Sequence, residues 1–296
     1  MKKWYLLLSF LFIWLLLGLI IFHQPPESIA DQPSPDIATR IVSMSPDLTE
    51  ILFSLALDEQ VVGVTSDSDY PPAALTKPNV GSFWQPNVEA IIAAAPNLIV
   101  IPDIARQTNL AHRLQRMGSR VLTIRLESIA DLYEAIAKIG AATDRQPHAE
   151  LLVSEIHARL ENFKIAASYR DKPRVLWVVQ RTPLRVAGRD TFINELLEIA
   201  GAQNAVSDAP FKYPPLGAEQ IYAGAPDVII ESAMGRTELE KVQQDAFKYW
   251  SRYENIPAVK NRRIYVIKDD TISRLGPRIV EGVEAIAACL AAAPEE

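Results

Sequence analysis

Five aromatic residues, Tyr70, Phe83, Trp84, Phe211 and Tyr213, stand among turn formers in TSDSDYPP (65–72), GSFWQP (81–86) and APFKYPP (209–215). Rings bracketed in this way suit the wall of a cleft better than a periodic core. The neighbouring prolines stiffen the loops and lower the ordering cost of binding. Burying a few such rings against a ligand contributes roughly 1.5–3 kcal/mol each, so the set approaches the ~8–12 kcal/mol of micromolar to nanomolar affinity. Charged groups share this loop class: Asp67 and Asp69, Arg181 and Arg185 in QRTPLRVAGRD (180–190), and Asp269, Asp270 and Arg274 in KDDTISRLGP (268–277). Each is either a polar contact at a binding rim or a solvated loop charge. The chemistry these residues offer is non-covalent capture.

Signals for catalysis are missing. The chain has no G-x-G-x-x-G, no G-x-x-x-x-G-K-[ST] and no G-x-S-x-G, hence neither a phosphate cradle nor a nucleophile elbow. Its four histidines, His23, His112, His148 and His157, fall outside the cleft loops, which argues against a histidine-built metal site. Cys289 is the sole cysteine, so no disulfide forms within the chain, and its apolar helical setting reads as packing. Asp67 and Asp69 as an acid/base pair would be a coincidence of polar loops. No catalytic residue, metal or catalytic cofactor is expected. With a net charge of −6 and no basic run, nucleic acid is excluded as a partner, and a monomer is expected.

The elements that hold these loops alternate. RIVSMS reads as a strand, PDLTEILFSLAL as a helix, QVVGVT as a strand, NVEAIIAAAP as a helix and NLIVI as a buried strand, which together imply βαβ units and a largely parallel sheet. A second alternation opens at KPRVLWVV. Between them, 143–170 reads as one long helix, capped by Thr143 or Asp144, with apolar positions at Leu151, Leu152, Ile156, Leu160 and Phe163. The segment NVEAIIAAAPNLIVI (87–101) returns 130 positions later as GAEQIYAGAPDVIIE (217–231), with six of fifteen positions identical. The expected architecture is therefore α/β: two similar lobes with mainly parallel sheets, 39–142 and 171–296, joined by a single crossover helix, with a ligand cleft between the lobes. The cleft follows because open α/β sheets bind ligands beyond the carboxyl ends of their strands.

The duplication also presents one acid twice, Glu89 and Glu219, each two residues into its helix. Either the helix dipole stabilises each carboxylate, or the pair grips a partner that is itself two-fold symmetric.

Lys2 and Lys3 precede nineteen residues, Trp4 to Phe22, without a charge. This segment, 1–22, is a signal peptide or a membrane anchor, followed by a Pro-rich tether over 23–38. Small residues at Ser28 and Ala30 suit cleavage, and the length suits anchoring. By the positive-inside rule everything beyond the segment is exported, to the periplasm or the extracytoplasmic face. No cysteine near the segment's end offers lipid attachment.

Taken in order, RIVSMSPDLTEILFSLALDEQVVGVTSDSDYPPAA, NVEAIIAAAPNLIVI, FINELLEIAGAQNAV, GAEQIYAGAPDVII and GPRIVEGVEAI resemble the cobalamin-binding periplasmic proteins of ABC importers. These sit within the helical-backbone class that also binds haem and ferric siderophores. The resemblance spans about residues 39–290. It implies a non-enzymatic receptor that delivers a corrinoid, or alternatively haem or a siderophore, to a permease dimer in the inner membrane. It places Asp67, Phe83, Trp84, Tyr213 and the stretch Asp270 to Arg274 at the ligand, and Glu89 and Glu219 against the permease. The chain departs from the cobalamin pattern at Asp67, where a tyrosine is usual, at Phe83, where a tryptophan is, and at Thr271-Ile272, where an aromatic pair is. For an iron-bearing ligand, Tyr70 is the available phenolate. A sensor or enzyme on the same scaffold is the reading from outside this class.

Overall fold

A computed structural model of the chain describes residues 38–168, 171–206, 209–233, 238–268 and 271–292. The apolar segment 4–22, the tether up to Ile37, and Asp269 and Asp270 of the last cleft loop lie outside the described residues. Among the described residues no helix is long and apolar enough to cross a membrane. Ala38, the final residue assigned to the tether, packs in the core at 2% exposure.

The first sheet is parallel throughout, in the order β2–β1–β3–β4: β1 Ile41–Ser43, β2 Val61–Gly63, β3 Leu98–Pro102 and β4 Val121–Ile124. The second repeats the plan. β5 (Arg174–Arg181) pairs in parallel with β7 (Gln203–Asn204) on one side and with β8 (Val228–Ser232) on the other, and β8 pairs in parallel with β9 (Ile264–Ile267). A short antiparallel strand, β6 (Leu184–Val186), adds to β5 beyond β7.

The repeated segment builds the same unit in each lobe. Asn87 caps the helix Val88–Ala93 by accepting from the Ala90 amide at 3.1 Å, and Gly217 begins the helix Ala218–Gly224. Each helix ends at an alanine forced into the left-handed region, Ala95 at φ 45° and Ala225 at φ 36°, just before the shared proline. The next side chain ties the strand down. Asn97 Oδ1 accepts the Thr39 and Arg40 amides at 3.1 and 3.0 Å, and Asp227 Oδ2 accepts the Arg174 amide at 2.8 Å.

Strand alternation divides the core. Leu98 and Val100 of β3, with Val228 and Ile230 of β8, face a central cluster shared by both lobes and the helices between them. Ile99 and Ile101 face a separate cluster on the far side of the first sheet, and Leu176, Val178 and Ile229 do the same on the second.

The crossover helix, Gln146–Ala167, has 22 residues, a length of ~33 Å. It starts later than the sequence suggests. Thr143 ends the preceding helix Ile129–Ala142, with its hydroxyl donated to the Ile139 carbonyl at 2.7 Å, and Asp144 turns the chain at φ 59°. Gly140 allows the two helices to touch, since a Cβ there would lie 2.6 Å from the Ala149 methyl. Ile156 and Leu160 are buried as expected, but Leu151 is 64% exposed, because the helix is covered on a narrower stripe than its apolar positions suggest.

Polar ties also join the lobes, and two of them lie deep in the structure. Glu195 of the second lobe accepts the Ile129 amide at 2.8 Å, capping a first-lobe helix. Glu50, 2% exposed in the first-lobe helix Pro46–Ser54, receives a bidentate pair from Arg278 at 2.6 and 2.9 Å.

Candidate ligand cleft

The loops beyond all four strands of the first sheet converge on one hollow of about 320 Å³. Pro46 and Asp47 follow β1, Asp67 follows β2, Pro102, Asp103 and Ile104 follow β3, and Leu126 and Glu127 follow β4. Phe83 and Trp84 form an aromatic wall, and Ser273 enters from the second half of the chain. A second hollow of about 180 Å³ is lined by Trp177, Val179, Phe192, Ile193, Tyr213, Ser232, Ile272 and the same Ser273. The two hollows meet there, so the cleft has one wall from each lobe. Lys212 bridges it, with Nζ 2.9 Å from Glu127 Oε2.

The aromatic wall is held from behind. Asp67 Oδ2 accepts the Phe83 amide at 2.6 Å, and the buried Gln107 donates to the Phe83 carbonyl at 2.9 Å. Phe83 and Trp84 meet edge to face at 4.7 Å, and the Arg106 guanidinium lies 5.5 Å from the Trp84 ring. The fixed backbone leaves Trp84 59% exposed, ready to be covered. Phe83 and Tyr213 are 130 positions apart, the spacing of the repeated segment, so corresponding places in the two lobes supply one ring each.

Electrostatics differ across the floor. Asp47 is pushed up to about 6: burial is the largest cause, its backbone hydrogen bond lowers it, Glu50 raises it and Arg274 lowers it. Burial also pulls Asp69 upward, but the hydrogen bond and charge of Arg274 outweigh it and hold that carboxyl below the ordinary range. Burial, then the Glu127 carboxylate, push the Tyr213 phenol up, so it remains a neutral donor. The Asp47 shift predicts a pH dependence. The folded state holds this proton more tightly than the unfolded chain, whose carboxyl titrates near 3.8, so Asp47's contribution to stability improves as pH falls through 6 and levels off below 3.8. Thermal melts of wild type and Asp47→Asn from pH 4 to 8 are expected to diverge most above pH 6, with the variant the more stable there.

The sequence-derived residues divide into groups. Asp67, Phe83 and Trp84 line the first hollow and Tyr213 the second. Arg274 sits beside them, 2.5 Å from Asp69 Oδ1 and donating to the Asp67 carbonyl at 3.3 Å. Tyr70 lines neither hollow; its ring lies 3.6 Å from the Arg278 guanidinium. Arg185 is a prop for the Tyr213 loop, donating to the Tyr213 carbonyl at 3.2 Å. Arg181 is not a rim residue. Beyond a register shift in β5 between Val178 and Gln180, it turns to the outer face and pairs at 2.6 Å with Glu231, itself 2% exposed and bonded by the Trp250 indole. Asp270 lies outside the described residues. Phe211 is 66% exposed and lines neither hollow. Glu89 and Glu219 are both exposed at their helix starts, as expected. Asp103, Ile104, Leu126 and Glu127 were missed, although they follow strand-like runs and the carboxyl-end rule reaches them. Among the described residues no group of three His, Cys, Asp or Glu is placed to hold a metal.

Comparison with known proteins accounts for this architecture. A family model described as periplasmic binding protein matches residues 41–271. The uncharacterized ABC transporter substrate-binding lipoprotein YvrC of Bacillus subtilis (strain 168) is 30% identical over 274 residues, covering 88% of this chain and 84% of that protein. A vitamin B12-binding protein of Vibrio cholerae serotype O1 is 25% identical over 272 residues, 91% of this chain and 94% of that protein. Among solved structures, the periplasmic heme-binding protein RhuT from Roseiflexus sp. RS-1, in apo form, superposes with a TM-score of 0.74 at 26% identity, covering 85% of this chain and 97% of that one. With matching sequence over most of its length, two parallel-sheet lobes and a cleft at their facing strand ends, the chain belongs to the periplasmic binding protein family.

Proposed function

We propose that the protein is an exported receptor of an ABC importer, and that it captures a corrinoid between its lobes and delivers it to a membrane permease. The observation that carries this reading is the cleft itself: two neighbouring hollows that share Ser273, with Phe83 and Trp84 on one side, Tyr213, Trp177 and Phe192 on the other, and a few fixed polar groups between. Such a lining suits a large planar ligand, whose faces cover rings and whose edge groups meet Ser273, Tyr213 and the carboxylates. The vitamin B12-binding relative supports the corrinoid, and the heme-binding structure supports haem as the alternative. The alternative needs a ligand for the iron, and Tyr70, the phenolate the sequence offers, lines neither hollow and lies against Arg278. Transport needs no bond-making step, and the receptor works by binding and release. Glu89 and Glu219 are its contacts with the permease dimer.

Calorimetric titration of the full chain in mild detergent with cyanocobalamin, cobinamide, haemin and a ferric siderophore tests the reading. Submicromolar one-to-one binding of a corrinoid alone is expected. Binding of haemin or the siderophore alone changes the cargo and keeps the receptor, and silence toward all four favours a sensor or enzyme. Phe83→Ala or Tyr213→Ala is expected to weaken the bound ligand by about 10- to 150-fold, the worth of one buried ring. Equal affinity in both variants would remove the rings from the site.

A further inference from the structure

On each of the two helices that carry the candidate docking acids, the side chain one turn further on is a large exposed apolar one. Ile92 follows Glu89 by three residues on the helix Val88–Ala93, and Tyr222 follows Glu219 by three on the helix Ala218–Gly224. Residues three apart on a helix share a face, so each acid has an apolar neighbour beside it. Ile92 and Tyr222 occupy corresponding places in the repeated segment, 130 positions apart, and each is 44% exposed. The preceding residues, Ile91 and Ile221, are the ones turned inward, buried to 1% or less. A large apolar side chain is thus left nearly half exposed twice, at equivalent positions and each time beside an exposed acid.

Resting on the docking reading above, we propose that Ile92 and Tyr222 are the apolar halves of two equivalent docking contacts. The partner they fit is a two-fold symmetric membrane protein that presents, once per subunit, a cationic side chain next to an apolar pocket. Charge complementarity steers and registers the encounter, while the apolar side chain supplies contact energy that salt does not screen. The two knobs differ in kind. Tyr222 is an aromatic ring braced edge to face on Tyr253, with centroids 5.9 Å apart, whereas Ile92 is a branched aliphatic side chain. A homodimeric partner would therefore hold one receptor in two slightly different pockets, with the braced ring seated at lower ordering cost.

The experiment places a photo-crosslinking benzoylphenylalanine at 89, 92, 219 or 222 of the full chain in its own cells and identifies adducts by mass spectrometry. Adducts from 92 and 222 to one polytopic membrane protein are expected. Adducts from 89 and 219 without any from 92 and 222 would overturn the apolar contacts and leave the acids' docking role intact, while none from all four positions would overturn both. Binding of the full chain to inner-membrane vesicles from the same cells gives the second readout. Ile92→Ser and Tyr222→Ser are each expected to weaken it about tenfold with an unchanged salt dependence, and Tyr222→Phe to leave it at the wild-type level. Glu89→Gln and Glu219→Gln should instead flatten the salt dependence. Wild-type binding by both serine variants overturns the proposal.

Discussion

Replacing Arg278 by alanine is expected to cost about 3–5 kcal/mol of folding stability, because it leaves the Glu50 carboxylate buried without its main partner. Glu50 is 2% exposed and receives both of its short bonds from Arg278, at 2.6 and 2.9 Å; Arg274, at 3.6 Å from Glu50, is already engaged with Asp69. For a folded unit of this size, each kcal/mol moves the melting temperature by roughly 2–4 °C, so the variant should melt about 10 °C lower at pH 7. Glu50→Gln/Arg278→Met, which removes both charges, should lose much less than the single change. A fall of under 2 °C for Arg278→Ala at pH 7 would mean that water or Arg274 satisfies Glu50 without its partner. The pair matters beyond stability, because Glu50 belongs to the first lobe and Arg278 begins the terminal helix of the second. With the crossover helix, the Glu195 cap and the Arg274–Asp69 and Lys212–Glu127 pairs, it ties the lobes together, which favours limited closure around a ligand over wide opening.

That tie was invisible in the sequence, and the reason is distance: Glu50 and Arg278 are 228 positions apart, in segments whose patterns specify helices and say nothing of a pairing between them. Features written in short range were legible. Strand alternation, helical spacing and the segment repeated at 130 positions specify two parallel-sheet lobes and the long helix between them. The same repeat presents Glu89 and Glu219, and the turn formers around Phe83 and Tyr213 mark those rings as loop residues. Single charges in loops were not legible, because a loop arginine reads the same whether it faces a cleft or a buried partner. Arg181 was assigned to the rim, and a register shift in β5 turns it toward Glu231, fifty residues downstream. Arg185 and Tyr70 fell near the cleft but act on the Tyr213 backbone and the Arg278 guanidinium. The omissions have a different cause. Asp103 and Glu127 lie in loops without the aromatics that drew attention to other loops, yet they occupy strand ends where position alone predicts a role.

Removing both docking acids, by Glu89→Ala with Glu219→Ala, is expected to abolish ligand uptake while leaving ligand affinity unchanged. Folding should tolerate the change. Each carboxylate is exposed in a first helical turn, where the macrodipole term is worth only ~0.3–1 kcal/mol, and Asn87 and the Gln220 side chain still satisfy the helix starts. Losing one partner of a desolvated charge pair costs about 2–5 kcal/mol, so each single change should weaken docking by roughly 30-fold or more. If the lobes contribute independently the penalties multiply in the double variant; if only one lobe docks, one single variant will equal the double. Affinity for the ligand, measured in the same preparations, is the discriminating control, since a fall there would move the acids from the docking surface into the cleft's own chemistry. The two functions are nonetheless close in the chain. Phe83 precedes Glu89 by six residues and Tyr213 precedes Glu219 by six, so in each lobe one short loop and helix carry both a cleft ring and a proposed docking acid. A partner that pulls the two acids apart would draw the two rings apart with them, which makes release of the ligand a mechanical consequence of docking.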